Sequence, residues 1–288
     1  MNQAKVFVRP RCNALLVFGV ASLLAIALGA FTMAQADVQL GVWIRNPIAW
    51  ALAAAISFFL ARRGWLGPAL PPIAVIVVAL SLIGPEQEDV HRWLGLGPIQ
   101  LNAAALVLPA ALAVFNRTSA AIAVSCFAVI AALLAWQPDI SQLAGFALAA
   151  TILATARFGW KGAAGSVLIA AAAGALCLSR PDPLAPVAHV EGIFTLAASQ
   201  SFILAIAMAI SLAAAVFSPL AIRSAGRPER FARLALAAYF AATALAPMFG
   251  AYPVPLAGYG LSFVVGWWLG VAALCISPRN SVNSLTVA

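Results

Sequence analysis

Residues 140–178 read ISQLAGFALAATILATARFGWKGAAGSVLIAAAAGALCL, and how this stretch is divided decides the fold. Two uncharged apolar runs, 140–156 and 163–178, flank Arg157-Phe158-Gly159-Trp160-Lys161. Cations and a Trp so close together belong at the headgroup level, where they anchor helix ends, and Gly159 permits a turn. The stretch therefore reads as two crossings joined by a tight turn. Taken as a single helix, it would move every later loop to the wrong side of a bilayer.

The same alternation extends in both directions. Uncharged apolar stretches run at 14–33, 46–61, 66–83, 99–115, 118–136, 192–217, 234–250 and 257–276, making ten candidate crossings with short loops. The second and seventh are the shortest and demand little tilt or a thin bilayer. The composition leaves no other class. Only 8% of the 288 residues are charged, against about 25% in a soluble domain, and 64% are apolar, with mean hydropathy +1.02. At roughly 20 residues per crossing, nine or ten helices use the whole chain. The expectation is one all-α, polytopic integral-membrane domain over 1–288, surrounded by membrane lipids. A net charge of +8 would suggest nucleic acid in a soluble protein. Here the cations distribute about a bilayer, and no nucleic-acid partner is expected.

That distribution gives the topology. With ten crossings, Lys5, Arg9, Arg11, Arg62, Arg63, Arg117, Arg157, Lys161, Arg223, Arg227, Arg230, Arg233 and Arg279 share one side. Only Arg45, Arg92 and Arg180 take the other, so 13 of 16 lie on the side that the positive-inside rule makes cytoplasmic, together with both termini. Of the acids, Asp37, Glu86, Glu88, Asp89, Asp139, Asp182 and Glu191 fall outside and Glu229 inside. Lys5, Arg9 and Arg11 before the first stretch and Ala34-Gln35-Ala36 after it imitate a secretory signal. The apolar run of 14–33 exceeds the 7 to 15 residues of such a signal, and an uncleaved helix is expected. Cys12, Cys126, Cys177 and Cys275 lie too far apart for a metal or redox motif and read as small core residues. No ionisable residue falls inside any stretch, which disfavours ion-coupled transport. Nor do paired inverted halves or interrupted helices stand at matching positions. Any chemistry belongs to the outer loops.

Four outer segments carry polar groups. After the third stretch comes Gly84-Pro85-Glu86-Gln87-Glu88-Asp89-Val90-His91-Arg92-Trp93-Leu94-Gly95-Leu96-Gly97-Pro98-Ile99-Gln100, readable as an acidic turn, an interfacial Arg-Trp anchor and a short amphipathic piece, with a solvated His91. After the fifth, Pro138 in Gln137-Pro138-Asp139 stops a helix and Asp139 is placed to cap the next. Before the eighth, Arg180-Pro181-Asp182-Pro183-Leu184-Ala185-Pro186-Val187-Ala188-His189-Val190-Glu191 holds the densest group of residues suited to acid–base work. Glu191 is equally placed to cap the eighth helix. Before the tenth, Tyr252-Pro253-Val254-Pro255-Leu256-Ala257-Gly258-Tyr259-Gly260-Leu261-Ser262 implies irregular backbone, tolerated at a membrane edge where it packs on protein or lines a cavity. Gly266 and Gly270 offer a small-xxx-small packing face.

In this order the segments resemble the SEDS family (shape, elongation, division and sporulation) of bacterial peptidoglycan polymerases, which has ten helices and both termini in the cytoplasm. The matching positions are Arg92, Trp93, Leu96 and Gly97; Gln137, Pro138 and Asp139; Pro186, Ala188, His189, Ile193 and Phe194; and Pro253, Pro255, Tyr259, Gly260 and Ser262. There are departures. The family's Gln-Pro-Ser-Glu at the head of helix four is Asn102-Ala103-Ala104-Ala105 here, and the Lys one turn on is Leu108, so a buried charge pair is gone. Glu191 stands where the family has its catalytic Asp, Ala198-Ser199-Gln200 replaces Gly-Glu-Glu, and the large outer loop shrinks to about a dozen residues between Cys177 and Glu191.

For an active member the resemblance implies lipid II polymerisation at the outer face of the cytoplasmic membrane, serving cell division or shape. Substrates would be undecaprenyl-pyrophosphate-linked, and the partner a single-pass transpeptidase or other membrane protein. A base must take the attacking hydroxyl's proton and a cation must meet the leaving pyrophosphate. Glu191 is the candidate base. Arg180 and Arg92 are candidates for the pyrophosphate, with His189, Asp139 and Tyr259 as further binding residues and a divalent cation (Mg or Mn) as a conceivable aid. Two other classes stand beside this one: a non-catalytic SEDS-like protein that binds a lipid-linked precursor or a membrane partner, and a lipid flippase.

Overall fold

The computed structural model describes residues 12–63, 65–180, 182–222 and 226–276. Among these residues ten helical segments can be followed: α1 (Cys12–Gln35), α2 (Arg45–Arg63), α3 (Leu70–Leu80), α4 (Ala103–Val114), α5 (Ala120–Trp136), α6 (140–158), α7 (160–178), α8 (Ile193–Gln200 and Phe202–Phe217), α9 (Arg227–Leu245) and α10 (Leu261–Cys275). A one-turn helix, Leu40–Trp43, leads into α2. By length and composition, α1, Leu40–Arg63, Ile140–Leu178, Phe202–Ala221 and Arg227–Met248 are long and apolar enough to cross a membrane, and α3, α4, α5 and α10 are shorter apolar helices.

The 140–178 stretch is a hairpin, as its charged midpoint predicts. Gly159 takes φ 66°, ψ −152°, which breaks the helix. Beyond it, the Ser166 hydroxyl donates to Thr151 Oγ1 at 3.0 Å. In a continuous helix these residues would be about 22 Å apart along the axis. The two arms touch so closely near the turn that a Cβ on Gly162 would lie 2.5 Å from the Ala154 carbonyl oxygen.

Two expectations are corrected. The fourth helix starts at Ala103 and not at 99, because Ile99–Asn102 (β2) pairs antiparallel with Trp93–Leu96 (β1), Trp93 opposite Asn102. Gly97, at φ 60°, supplies the left-handed residue that the Gly97-Pro98 turn needs. Apolar content alone does not distinguish such a strand from the first turn of a buried helix. The eighth crossing is interrupted at Ser201, which is extended (φ −162°, ψ 126°). Ser199, Gln200 and Ser201 bring polar side chains that compete for backbone groups, and Gln200 Nε2 donates to the Thr32 carbonyl of α1 at 2.9 Å.

α1 belongs to the core: Phe18, Ala25, Ile26 and Met33 are fully buried. α10 packs against α4, where Pro109 removes the N–H that would meet the Ala105 carbonyl. Gly266 lies against that carbonyl, at 2.0 Å from where its Cβ would stand, and Gly270 lies against Pro109 itself. The apolar substitutions at the head of α4 are absorbed here, with Ala105 and Leu108 fully buried. Next to Gly266, Trp267 stacks on Phe240 of α9 with ring centroids 3.9 Å apart.

The two ends of the bundle differ in charge. At one, Ala14, Ile222 and Cys275 cluster together, Arg117 donates to the Ile276 carbonyl at 2.7 Å, and Arg157 donates to the Thr118 carbonyl at 2.9 Å. Arg62, Arg63, Lys161, Arg227, Arg230 and Arg233 share this end, whereas Arg45, Arg92 and Arg180 lie with most of the carboxylates at the other. The positive-inside rule assigns the basic end to the cytoplasm. Single cysteines placed in 84–92 and 180–191 should react with an impermeant maleimide from outside the cell; labelling only from the cytoplasm would reverse the assignment.

Candidate functional site

The acidic end holds a cavity of about 510 Å³. Four segments wall it: the β-hairpin with its approach, the head of α6, the 182–191 segment and the 251–263 segment. The local sequence fixes each one.

The head of α6 is set by Asp139, 2% exposed. Its Oδ1 accepts from the Gln142 N–H at 3.3 Å, capping the helix as expected, and from the Ser141 hydroxyl at 3.1 Å. Its Oδ2 accepts from Asn102 Nδ2 at 2.9 Å. Asn102 in turn accepts from the Ala105 N–H at 2.9 Å, so one side chain caps α4 and ties it to α6. Gln142 also accepts from the buried Tyr239 hydroxyl, linking α6 to α9.

The 251–263 segment is irregular but pinned. Asn46, fully buried at the start of α2, donates to the Gly258 carbonyl at 2.8 Å and accepts from the Gly260 N–H at 3.3 Å. Arg45 donates to the Tyr259 hydroxyl at 3.1 Å. The Val254 and Tyr259 N–H groups donate to the Val190 and His189 carbonyls, at 3.2 and 2.9 Å. Leu256, buried at φ 64°, is held in the left-handed region by this network. Asn46→Ala removes both bonds and strands their partners; it is expected to cost about 1–3 kcal/mol and lower the Tm in detergent.

The 182–191 segment brings two carboxylates to the cavity. Asp182 Oδ2 accepts from Arg92 Nη2 at 2.5 Å, and its Oδ1 from the Leu184 N–H at 3.2 Å. Arg92 is 6% exposed and its guanidinium sits 5.1 Å from the Trp93 ring. Glu191 is half-buried, and its Oε2 accepts from the Val187 N–H at 2.7 Å. Burial raises its carboxyl above the ordinary range, against the opposing pull of the Val187 and Glu191 N–H groups, His189 and Arg92. The bond runs backward within the turn. It does not cap α8, whose N-cap is Gly192 without a side-chain bond.

Of the six residues singled out from the sequence, Glu191, Arg92, Asp139 and Tyr259 line the cavity. Arg180 does not. Its guanidinium lies 4.0 Å from the Trp136 ring and donates to the Trp136 carbonyl at 3.3 Å, the place of an interfacial anchor. His189 takes part through its carbonyl, and its ring lies beside Tyr259 with centroids 6.3 Å apart, not on the cavity wall. Asp182, Asn102 and Gln142 are cavity residues that the sequence reading did not single out. Asp182 stood in the polar loop it drew attention to, but nothing in spacing pairs it with a residue 90 positions away.

A resident divalent cation does not fit this donor set. Among the described residues, no three His, Cys, Asp or Glu groups are placed to share one. Both oxygens of Asp139 and of Asp182 are engaged by donors.

No family profile and no curated protein matches the sequence. Solved structures do match in shape. The rod shape determining protein RodA of Thermus thermophilus superposes with a TM-score of 0.65 at 19% identity, covering 90% of this chain and 94% of that one. An Asp-to-Ala mutant of the same protein gives 0.64 at 18%, over 90% and 95%. A chain from a peptidoglycan synthase complex that coordinates polymerization and crosslinking gives 0.63 at 19%, over 90% and 96%. At these identities the likeness is one of architecture, over 90% of the chain, and the protein has the multi-helix fold of RodA.

Proposed function

We propose that the protein is a SEDS-like peptidoglycan glycosyltransferase that polymerises lipid II at the outer face of the bacterial cytoplasmic membrane, for cell division or cell shape. The observation that carries this reading is the pairing of functions in one cavity. A desolvated carboxylate, Glu191, and a buried guanidinium, Arg92, reach it from segments far apart in sequence, at the end opposite the basic face.

The chemistry follows from those groups. A hydroxyl of the acceptor sugar gives its proton to Glu191 while its oxygen attacks the anomeric carbon of a second lipid-linked unit. The new C–O bond forms as the bond to the diphosphate breaks, with inversion, and undecaprenyl diphosphate departs with the electron pair. The Val187 N–H holds one oxygen of Glu191, leaving the other to take the proton. Burial raises the Glu191 pKa, which makes the carboxylate a stronger base when ionised. Arg92 meets the charge that develops on the leaving diphosphate. Asp139 and Asn102 shape the floor, and Tyr259, oriented by Arg45, the wall.

A single-pass transpeptidase is the proposed partner, supported by the similarity to a chain that works inside a peptidoglycan synthase complex. A non-catalytic binding role is the second reading, favoured by one observation: apolar Ala105 and Leu108 fill the place where a charge pair would stand. Incubating the purified protein with lipid II, alone and with such a partner, tests the proposal. Glycan strands support it, and unchanged lipid II contradicts it.

A further inference from the structure

Arg92 is more than nine-tenths buried, yet only part of its binding edge is used. Asp182 takes Nη2 alone, through a single oxygen, and the adjoining Nε is buried without a partner. A planar guanidinium binds phosphate best through two parallel N–H groups. Asp182 therefore satisfies this edge incompletely, and a two-oxygen anion would satisfy it fully. The charges agree. Among the charged side chains on the cavity wall, Arg92 faces three carboxylates, Asp139, Asp182 and Glu191, so an anionic headgroup meets a cation whose Nη2 Asp182 already holds.

The segment carrying Asp182 is loosely fastened. Residues 183–186 include Pro183 and Pro186, which have no N–H to give. The side-chain bonds that anchor 182–187 are those of Asp182 to Arg92 and to Leu184 N–H, and of Glu191 to Val187 N–H. Releasing Asp182 from Arg92 leaves one end of this strap untied, over a cavity that Leu184 and Ala185 also line.

We propose that Asp182 is a positioning residue that stands in for the diphosphate of the lipid-linked substrate: it holds Arg92 in place when the site is empty, yields the guanidinium when the diphosphate arrives, and so frees the 182–187 strap. This rests on Arg92 being the diphosphate's cation in the proposed function. An Arg left without its counter-charge in a buried place is costly, so the stand-in keeps the empty protein folded, and its exchange sets the affinity threshold of the site.

The test uses the full chain in nanodiscs with farnesyl diphosphate as probe and farnesol as its uncharged counterpart. Asp182→Asn should tighten farnesyl diphosphate binding about tenfold, enlarge the rise in Tm that the probe produces, and leave farnesol binding unchanged. A spin label at an Ala185→Cys site in the otherwise wild-type chain should become more mobile on adding farnesyl diphosphate and not on adding farnesol; this readout serves if Asp182→Asn fails to fold. Diphosphate binding that is unchanged or weaker in Asp182→Asn, or a label that does not respond, overturns the exchange while wild-type binding leaves the proposed function standing. Binding by Asp182→Asn alone supports the exchange. If neither protein binds farnesyl diphosphate, both the exchange and the polyprenyl-diphosphate site are wrong.

Discussion

Glu191→Gln is expected to fold as the wild type does and to polymerise lipid II about 10²- to 10⁴-fold more slowly, the range a positioned general base supplies. The amide keeps an oxygen that can accept from the Val187 N–H, so the turn at 187–191 survives the change. Stability should not fall. The folded state raises the Glu191 carboxyl above its unfolded value, so it favours the protonated form, and the stability this gives at low pH is lost as pH rises through the folded pKa. A neutral Gln removes that loss. The pH profile gives an independent sign: a base works only when ionised, so activity should decline, as pH falls, starting above the ordinary Glu range. Glu191→Asp shortens the arm by about 1 Å, a displacement that can change rates by about 100-fold. Because it restores the carboxylate of the SEDS pattern, it should retain activity or raise it. A Glu191→Gln protein with wild-type turnover would remove the residue from the mechanism.

Gly266→Ala is expected to disrupt the fold strongly. The added Cβ would stand 2.0 Å from the Ala105 carbonyl oxygen and 2.9 Å from that of Leu106. Both are backbone atoms, so no rotamer change relieves the contact. α10 and α4 must part, and with them the 251–263 and hairpin walls of the cavity. Overpacking costs about 1–3 kcal/mol where side chains can yield, and here about 3 kcal/mol is the lower bound. Thermal unfolding in detergent should show a marked fall in Tm together with loss of lipid II binding. Gly165→Ala in α7, whose Cβ would meet nothing within 4 Å, should leave both unchanged. If the two variants unfold alike, the close α4–α10 contact does not hold the fold together.

The legible part of the fold was written in charge and punctuation. Arg157 to Lys161 marked a turn that helix propensity alone would have run through, and that one division put every outer segment on the side where the cavity lies. The hairpin at 93–102 was hidden, because a short apolar run has no period long enough to separate strand from helix. The break at Ser201 was hidden for another reason: three polar residues inside a long apolar run read as tolerated until Gln200 is seen bonded to α1.

The candidate site came from resemblance and not from pairing. Glu191, Asp139 and Tyr259 were named because they stand at positions matching the SEDS pattern, in segments whose Pro, Gly and polar residues imply irregular backbone at a membrane edge. Which Arg faces the cavity was not decidable from spacing. Arg180 lies nearer in sequence to Glu191, but Trp136 captures it, while Arg92 is turned inward by the start of β1. Asp182 acquires its role only through that choice, since its partner comes from another loop.

On the proposed function this chain, with Glu at the position of the SEDS Asp and a short outer loop, makes glycosidic bonds. The direct measurement is the length distribution of glycan formed from lipid II by the purified protein, with and without a partner transpeptidase, beside Glu191→Gln. Strands from the wild type and none from Glu191→Gln are the predicted result. Lipid II that is bound but never joined by the wild type, with the partner present, would contradict it and leave a binding protein.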